Sequence, residues 1–230
     1  MKSLVFDSSS IISITTNNLL DILVNLKKIY RGEFFICHEV LKELIENPLK
    51  THKFKLEALQ LSNYLSQGKI KVFNKDLENK TNYLLTLANN IFQVNNHNLI
   101  ILHKADVESL ALTLYLQAES LVIDERTTRL LIENFSKLQD LLERKLNTKV
   151  KINKENLNYF KKEVKDIKII RSSELMTIAF ELDLFKGYEN KSIKNFKKEL
   201  LEGILWGLRL RGCAISTEEI NRIIKLEKLK

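Results

Sequence analysis

Four carboxylates stand at points of the sequence where an acid could bind a ligand. Asp7 and Asp124 each follow a short apolar run, Glu43 lies within a helical pattern, and Asp106 begins another. Because grouped carboxylates repel one another, such a cluster requires cations, and oxygen ligands favour Mg²⁺ or Mn²⁺ over zinc. Each acid alone is readily explained as a helix cap or a solvated charge, but the four together favour a cation site.

The elements that would bring these acids together alternate between strands and helices. Buried strands are predicted at residues 3–6, 33–37 and 120–124, and a third strand or an extended edge at 69–73. The segments between them have helical spacing, except that 76–104 is predicted as a helix followed by an irregular connection. This alternation indicates a parallel α/β sheet with helices on both faces. Ligands of such sheets bind at the carboxyl ends of the strands, where Asp7 and Asp124 stand.

The last third of the chain has a different pattern. Helices are predicted at 172–185 and 192–211, and Ser216 with Glu219 forms a capping box that opens a final helix. We therefore predict an α/β domain over residues 1–150 and a mainly helical C-terminal extension over 151–230.

Charge is unevenly distributed between these two parts. Residues 151–230 hold 18 Lys and Arg against 12 Asp and Glu, so they carry +6 of the net charge of +8. This excess suits a polyanionic partner, although a lysine-rich solvated surface explains it equally well. Lys161, Lys162 and Lys165 are the candidate phosphate contacts. The apolar stripes of this part could pack on the α/β body or on a second subunit, which would make a homodimer.

The composition narrows the class of protein. Two cysteines without CxxC spacing argue against a disulfide framework, and the four histidines show neither HxxxH nor triad spacing. No run approaches the roughly 20 apolar residues of a membrane span, and no secretory signal is recognisable. We expect a cytoplasmic protein with no membrane partner.

In four short motifs, the sequence resembles the PIN-domain nucleases. The motifs are Phe6-Asp7-Ser8-Ser9, "EVLKEL" around Glu43, "LHKADVESLAL" around Asp106, and Ile123-Asp124-Glu125. Each motif is weak alone, but their order is fairly specific, and together they cover most of residues 1–136. In the tail, "SSELMTIAFELDLF" and "LRGCAISTEEI" resemble a PIN subgroup. The resemblance implies a PIN-like three-layer fold with a parallel central sheet flanked by helices.

The resemblance also implies a metal-dependent phosphodiesterase that usually acts on RNA. Asp7, Glu43, Asp106 and Asp124 would hold one or two Mg²⁺ or Mn²⁺ ions and so activate a water and neutralise the scissile phosphate. Glu108 could replace Asp106 if the register slips, and Glu125 could replace Asp124. Ser9 would bind phosphate or a water, or serve only as a cap. Arg126 and Arg129 would touch the phosphate backbone or form a solvated helix face.

Two other functions stay open at this stage. The same fold could serve as an RNA-binding or assembly module, for example in an RNA-processing complex, with little turnover. It could also cleave DNA. A small antitoxin partner would indicate a toxin role, which the sequence alone does not decide.

Overall fold

Five parallel strands form the central sheet of the computed structural model, which describes residues 2–190 and 192–227. In spatial order they are β3 (Lys71–Val72), β2 (Glu33–Ile36), β1 (Ser3–Phe6), β6 (Ser120–Val122) and β8 (Ile169–Ile170). The central strands are continuous apolar runs with almost no exposed surface, as expected of a parallel sheet covered on both faces.

The strand order reverses beside β1. From β1 the chain goes to β2 and β3 on one side, whereas β6 and β8 lie on the other side. The boundary between β1 and β6 is therefore the topological switch point, and ligands of open α/β sheets bind outside the carboxyl ends of the strands at such a point. Asp7 follows β1 there, and the Asp124-Glu125 pair follows β6.

Helices connect the strands and cover both faces of the sheet. Their bounds are α1 Ser8–Thr16, α2 Leu20–Tyr30, α3 His38–Leu41, α4 Asn47–Leu49, α5 Lys55–Ser66, α6 Glu78–Asn89, α7 Lys104–Leu116, α8 Arg126–Glu133, α9 Phe135–Leu146, α10 Lys154–Val164, α11 Ser172–Glu181, α12 Phe196–Leu210 and α13 Thr217–Leu226. A π-helical turn, Lys42–Glu46, joins α3 to α4, and a 3₁₀ turn, Lys186–Tyr188, follows α11.

The helices pack in two groups. One group contains α7, which contacts β1 and β6, together with α3, α6 and α10. The other contains α1, which contacts α2, α5, α11 and α12. The predicted α/β class, with a parallel central sheet flanked by helices, is confirmed. No helix in the described part of the chain is long and apolar enough to cross a membrane.

A second, antiparallel sheet occupies the region predicted as an irregular connection. It consists of β5 (His97–Asn98), β4 (Phe92–Val94) and β7 (Lys151–Ile152). Asn95 and Asn96 join β4 to β5 with φ values of 49° and 65°. Asn tolerates this left-handed conformation, which a two-residue hairpin turn requires at both positions. The predicted helix in 76–104 is confirmed as α6, whereas the predicted irregular connection is wrong for residues 92–98 and right for residues 99–103.

The predicted C-terminal extension contributes to both sheets. Its first residues form β7, which pairs with β4. Further along the chain, β8 pairs with β6. Buried apolar residues from Leu4 to Ile224 form one continuous core, so the described residues after position 150 pack with those before it. The predicted capping box is confirmed: Ser216 and Glu219 bond reciprocally at the start of α13. Both cysteines are free and buried.

Candidate metal centre

Asp7 lies at the carboxyl end of β1 and caps α1. Its Oδ2 atom accepts hydrogen bonds from the Ser9 amide (3.0 Å) and the Ser9 hydroxyl (2.6 Å). The residue is only 1% exposed, and among the described residues its Oδ1 atom finds no hydrogen-bond partner. A buried carboxylate oxygen without a partner costs free energy, so this oxygen calls for a donor or a cation.

The surroundings of Asp7 disfavour its ionised form. Burial raises the pKa of Asp7 to about 6, against an ordinary value of 3.8, and the charge of Glu43 adds to this rise. The hydrogen bonds from Ser9 oppose the rise but do not cancel it. A raised pKa from burial and a like charge is a frequent property of functional carboxylates.

Ser9 joins the ends of β1 and β6. While its hydroxyl donates to Asp7, the same oxygen accepts the amides of Asp124 (3.0 Å) and Glu125 (3.2 Å). This oxygen therefore fixes the position of Asp7 relative to the Asp124-Glu125 pair across the switch point. The predicted roles of Ser9, a phosphate or water contact or a turn or cap hydroxyl, stay predictions; here its hydroxyl bonds to protein groups at both strand ends.

Asp106 lies in the first turn of α7. Its Oδ2 atom accepts the amide of His103 at 2.8 Å, which satisfies a free donor at the start of the helix. The pKa of Asp106 rises to about 7, first because of burial and then because of the charges of Asp7, Glu125 and Glu43. The charges of Asp7, Glu125 and Glu43 therefore all act on Asp106.

Glu43 reaches this cluster from the π-helical turn. The side chain is exposed, and its charge raises the pKa of both Asp7 and Asp106. The turn contacts α1 and α5, whereas the adjoining α3 contacts α7, so this segment bridges the two helix groups. Short π-helical insertions often occur at functional sites, since they change the direction of one side chain.

Asp124 and Glu125 have different surroundings although they are adjacent. Asp124 is fully buried, and its two oxygens accept the Ser172 amide (2.7 Å) and the Ser172 hydroxyl (2.6 Å). Glu125 caps α8 by accepting the Thr128 amide at 2.6 Å, and its charge acts on Asp106. The structure thus directs Asp124 to the start of α11 and leaves Glu125 as the acid of this pair whose charge acts on Asp106.

Glu108 lies on a different side of α7 from Asp106. Its Oε2 atom accepts the Glu39 amide at 2.8 Å, at the start of α3, and its charge helps to raise the pKa of the Cys37 thiol. The Glu108 carboxylate thus binds a backbone amide at the start of α3.

The two predicted arginines differ in exposure. Arg126 is exposed, whereas Arg129 pairs with Glu133 (3.3 Å) and donates to the Ala214 carbonyl (3.4 Å). Arg129 thereby connects α8 to the segment before α13.

The predicted lysines of α10 also differ. Lys161 places its Nζ atom 3.6 Å from the centre of the Phe135 ring, a cation–π contact that ties it to α9. Lys162 and Lys165 are exposed and therefore free to contact a large polyanion.

The acid cluster, defined as Asp7, Glu43, Asp106 and Glu125, has the chemistry of a Mg²⁺ or Mn²⁺ site. Within residues 2–190 and 192–227, no three His, Cys, Asp or Glu side chains converge closely enough to form a ready-made metal cage. The unpartnered Oδ1 of Asp7 and the raised pKa values of Asp7 and Asp106 are nevertheless what a cation would relieve. Mg²⁺ itself is usually held by one or two carboxylates and keeps several waters.

Comparison of the chain with protein-family models, with curated proteins and with solved structures finds no match in any of the three.

Proposed function

We propose that this chain is a Mg²⁺- or Mn²⁺-dependent nuclease of the PIN type that hydrolyses phosphodiester bonds of RNA. One observation carries the proposal: at the switch point, the buried Asp7 keeps a carboxylate oxygen without a partner among the described residues, the charge of Glu43 raises its pKa, and the charges of Asp7, Glu125 and Glu43 raise the pKa of Asp106. The ordered motifs that resemble PIN-domain nucleases support RNA as the substrate, and the net charge of +8 supports a polyanion.

In this proposal, Asp7 and Asp106 are the principal ligands, and Glu43 and Glu125 complete the set. A bound Mg²⁺ or Mn²⁺ would acidify a water and neutralise charge at the scissile phosphate. We assign the fourth position to Glu125 instead of Asp124, because both oxygens of Asp124 are already bonded to Ser172.

The protein residues contribute orientation and proton control. Ser9 holds one oxygen of Asp7, and the other oxygen keeps no hydrogen-bond partner among the described residues. Asp106, with a pKa of about 7, carries a proton part of the time near neutrality. Since a ligand must lose its proton before it binds a cation, cation affinity and turnover should rise through pH 7.

A cleavage assay tests this function. Purified protein with Mn²⁺ is incubated with single-stranded RNA and with DNA of the same sequence, and the ends of the products are analysed. We expect RNA fragments with 5′-phosphate and 3′-hydroxyl ends, as the resemblance implies. Asp106→Asn should abolish cleavage. The matched variant Glu108→Gln, two residues further along α7, should still cleave RNA.

Other results of this assay would support a different ligand, a different substrate or a function without cleavage. Loss of activity in Glu108→Gln with activity kept in Asp106→Asn would show that the ligand had been placed in the wrong register. Cleavage of DNA alone would show that the substrate is DNA and not RNA. If metal-loaded protein binds RNA but cuts neither polymer, the chain is a binding or assembly module, and the nuclease proposal fails.

A further inference from the structure

An arginine-lined cavity of about 260 Å³ begins one residue along the chain from Glu125. It is bounded by the start of α8 and by the segment that joins α12 to α13. We call it the arginine cavity and define it by Arg126, Arg129 and Arg209, with Ala214, Ser216 and Glu219 completing the wall.

The backbone attaches this cavity to the end of β6. Gly212 has a φ of 114°, a conformation that L side chains rarely adopt, and it turns the chain out of α12. The chain then returns, so that the Ala214 amide donates to the Asp124 carbonyl at 3.2 Å. Because Arg126 directly follows Glu125, the cavity begins one residue from the acid cluster.

The acid in the wall, Glu219, is paired with an arginine outside the cavity. Glu219 accepts a hydrogen bond from Arg171 (2.9 Å) and from the Ser216 amide (2.8 Å), and these contacts help to lower its pKa below the ordinary range. Arg171 itself is buried and is shared with Glu174, so it offsets only part of the charge of Glu219. The wall therefore keeps a net positive charge, with three arginines against one partly offset acid.

The three cavity arginines are held in place but only partly satisfied. Arg209 lies over the Trp206 ring, 4.8 Å from its centre, and donates to the Thr217 hydroxyl. Arg129 pairs only with the half-exposed Glu133, and its buried Nε atom has no acceptor in the described part of the chain. Arg126 is exposed and forms no ion pair with any described residue. Guanidinium groups that converge in this way suit the oxygens of a phosphate.

The size of the cavity restricts the ligand. Sites for drug-sized molecules have volumes of roughly 300–1,000 Å³, so about 260 Å³ suits a smaller group. We propose that the arginine cavity binds one backbone phosphate of the nucleic-acid strand, next to the bond that the acid cluster cuts. This inference rests on the proposed function in one respect, which is that the nucleic-acid strand must run past the acid cluster.

Binding measured without metal separates this inference from the proposed function. A fluorescent single-stranded RNA is titrated with full-length protein in EDTA at several salt concentrations, so that no cleavage is needed. Arg209→Gln and Arg126→Gln should each weaken binding about tenfold and reduce the log–log salt slope by about 0.7, the value for one phosphate contact on a single strand. The control is Arg222→Gln, an exposed arginine of α13 outside the cavity, which should change neither value.

A double variant tests whether both arginines contact the same phosphate. Because they would share one ligand, Arg126→Gln with Arg209→Gln should weaken binding less than the product of the two single losses. Thermal melting of each variant shows whether it is folded. Arg126→Gln keeps the test decisive if Arg209→Gln unfolds, since Arg126 is exposed.

Two results would overturn the inference. One is an RNA affinity and salt slope for Arg126→Gln and Arg209→Gln equal to those of Arg222→Gln. The other is stabilisation of the wild type, but not of Arg209→Gln, by inorganic phosphate alone, with equal RNA affinity in both proteins; the cavity would then hold free phosphate. If the cavity variants lose RNA affinity but the wild type cuts no RNA, the inference stands and the nuclease proposal fails.

Discussion

Asp124 accepts two hydrogen bonds from Ser172, at 2.7 Å from the amide and 2.6 Å from the hydroxyl. This pair joins the end of β6 to the start of α11, and both residues are fully buried. It gives Asp124 a role in stability, whereas the adjacent Glu125 belongs to the acid cluster.

Removing the Ser172 hydroxyl should destabilise the protein. Hydrogen bonds to a charged group contribute about 1.5–3 kcal/mol, so Ser172→Ala should lower the free energy of unfolding by about 2 kcal/mol, measured by urea denaturation. The matched control is Ser173→Ala, which removes an equally buried hydroxyl that bonds to no carboxylate in the described part of the chain. Equal losses in the two variants would contradict the role assigned to the Asp124–Ser172 pair.

The stability of the metal-free protein should depend on the ionisation of Asp7. Its folded pKa of about 6 lies above the ordinary value of 3.8, so the folded state binds the proton more tightly than the unfolded state. Stability from this group is therefore full below about pH 4 and is lost as the pH rises through about 6. A difference of about two pKa units corresponds to about 3 kcal/mol.

The variant Asp7→Asn isolates this effect. In EDTA it should be more stable than the wild type by up to about 3 kcal/mol near pH 8, and the difference should vanish near pH 4. Urea denaturation at both pH values measures it. A difference that does not change with pH would show that the substitution acts through packing and not through charge.

The two adjacent acids after β6 should differ in their response to metal. Mn²⁺ stabilises the folded state by mass action if it binds there, and the increase in Tm reports that binding. Glu125→Gln should reduce the Mn²⁺-induced increase, whereas Asp124→Asn should lower the Tm in EDTA but keep most of the increase. The opposite pattern would return Asp124 to the metal site.

Lys162 in the last turn of α10 and Lys165 directly after it should increase the affinity for RNA and take no part in the cleavage reaction. Replacing Lys162 and Lys165 together by Gln should weaken RNA binding and reduce the salt slope by up to about 1.4, at about 0.7 per phosphate contact. The control replaces Lys28 and Lys50, two exposed lysines of the first 150 residues. An unchanged slope for the α10 variant would make these lysines ordinary solvated surface. Lys161→Gln should chiefly lower stability, because its ammonium group lies on Phe135.

The sequence predicts the central strands well because they are apolar runs bounded by clear signals. β1, β2 and β6 lie where alternation with helices places them. β8 was not predicted, because two isoleucines in a lysine-rich stretch carry no periodicity, and only pairing with β6 makes them a strand. For the hairpin of β4 and β5, the sequence contains one indication, the Asn95-Asn96 pair, which suits a two-residue turn.

The candidate site was only partly predictable. The positions of Asp7 at a strand end and of Glu43 and Asp106 in helices predict that the three acids lie at one edge of the sheet. The choice between Asp124 and Glu125 could not be made, because successive residues of an extended segment point to opposite sides and either can serve. The choice depends on Ser172, which lies 48 residues away in sequence and approaches only through β8 and α11.

Calorimetric titration of Mn²⁺ into the wild type and into Asp7→Asn at pH 8 tests the central claim, that the acid cluster binds a divalent cation. We predict measurable heat for the wild type with a stoichiometry of one or two ions, and loss of most of this binding in Asp7→Asn, whose folded state is confirmed by its Tm. Equal Mn²⁺ binding by both proteins, or none by the wild type, would contradict the account.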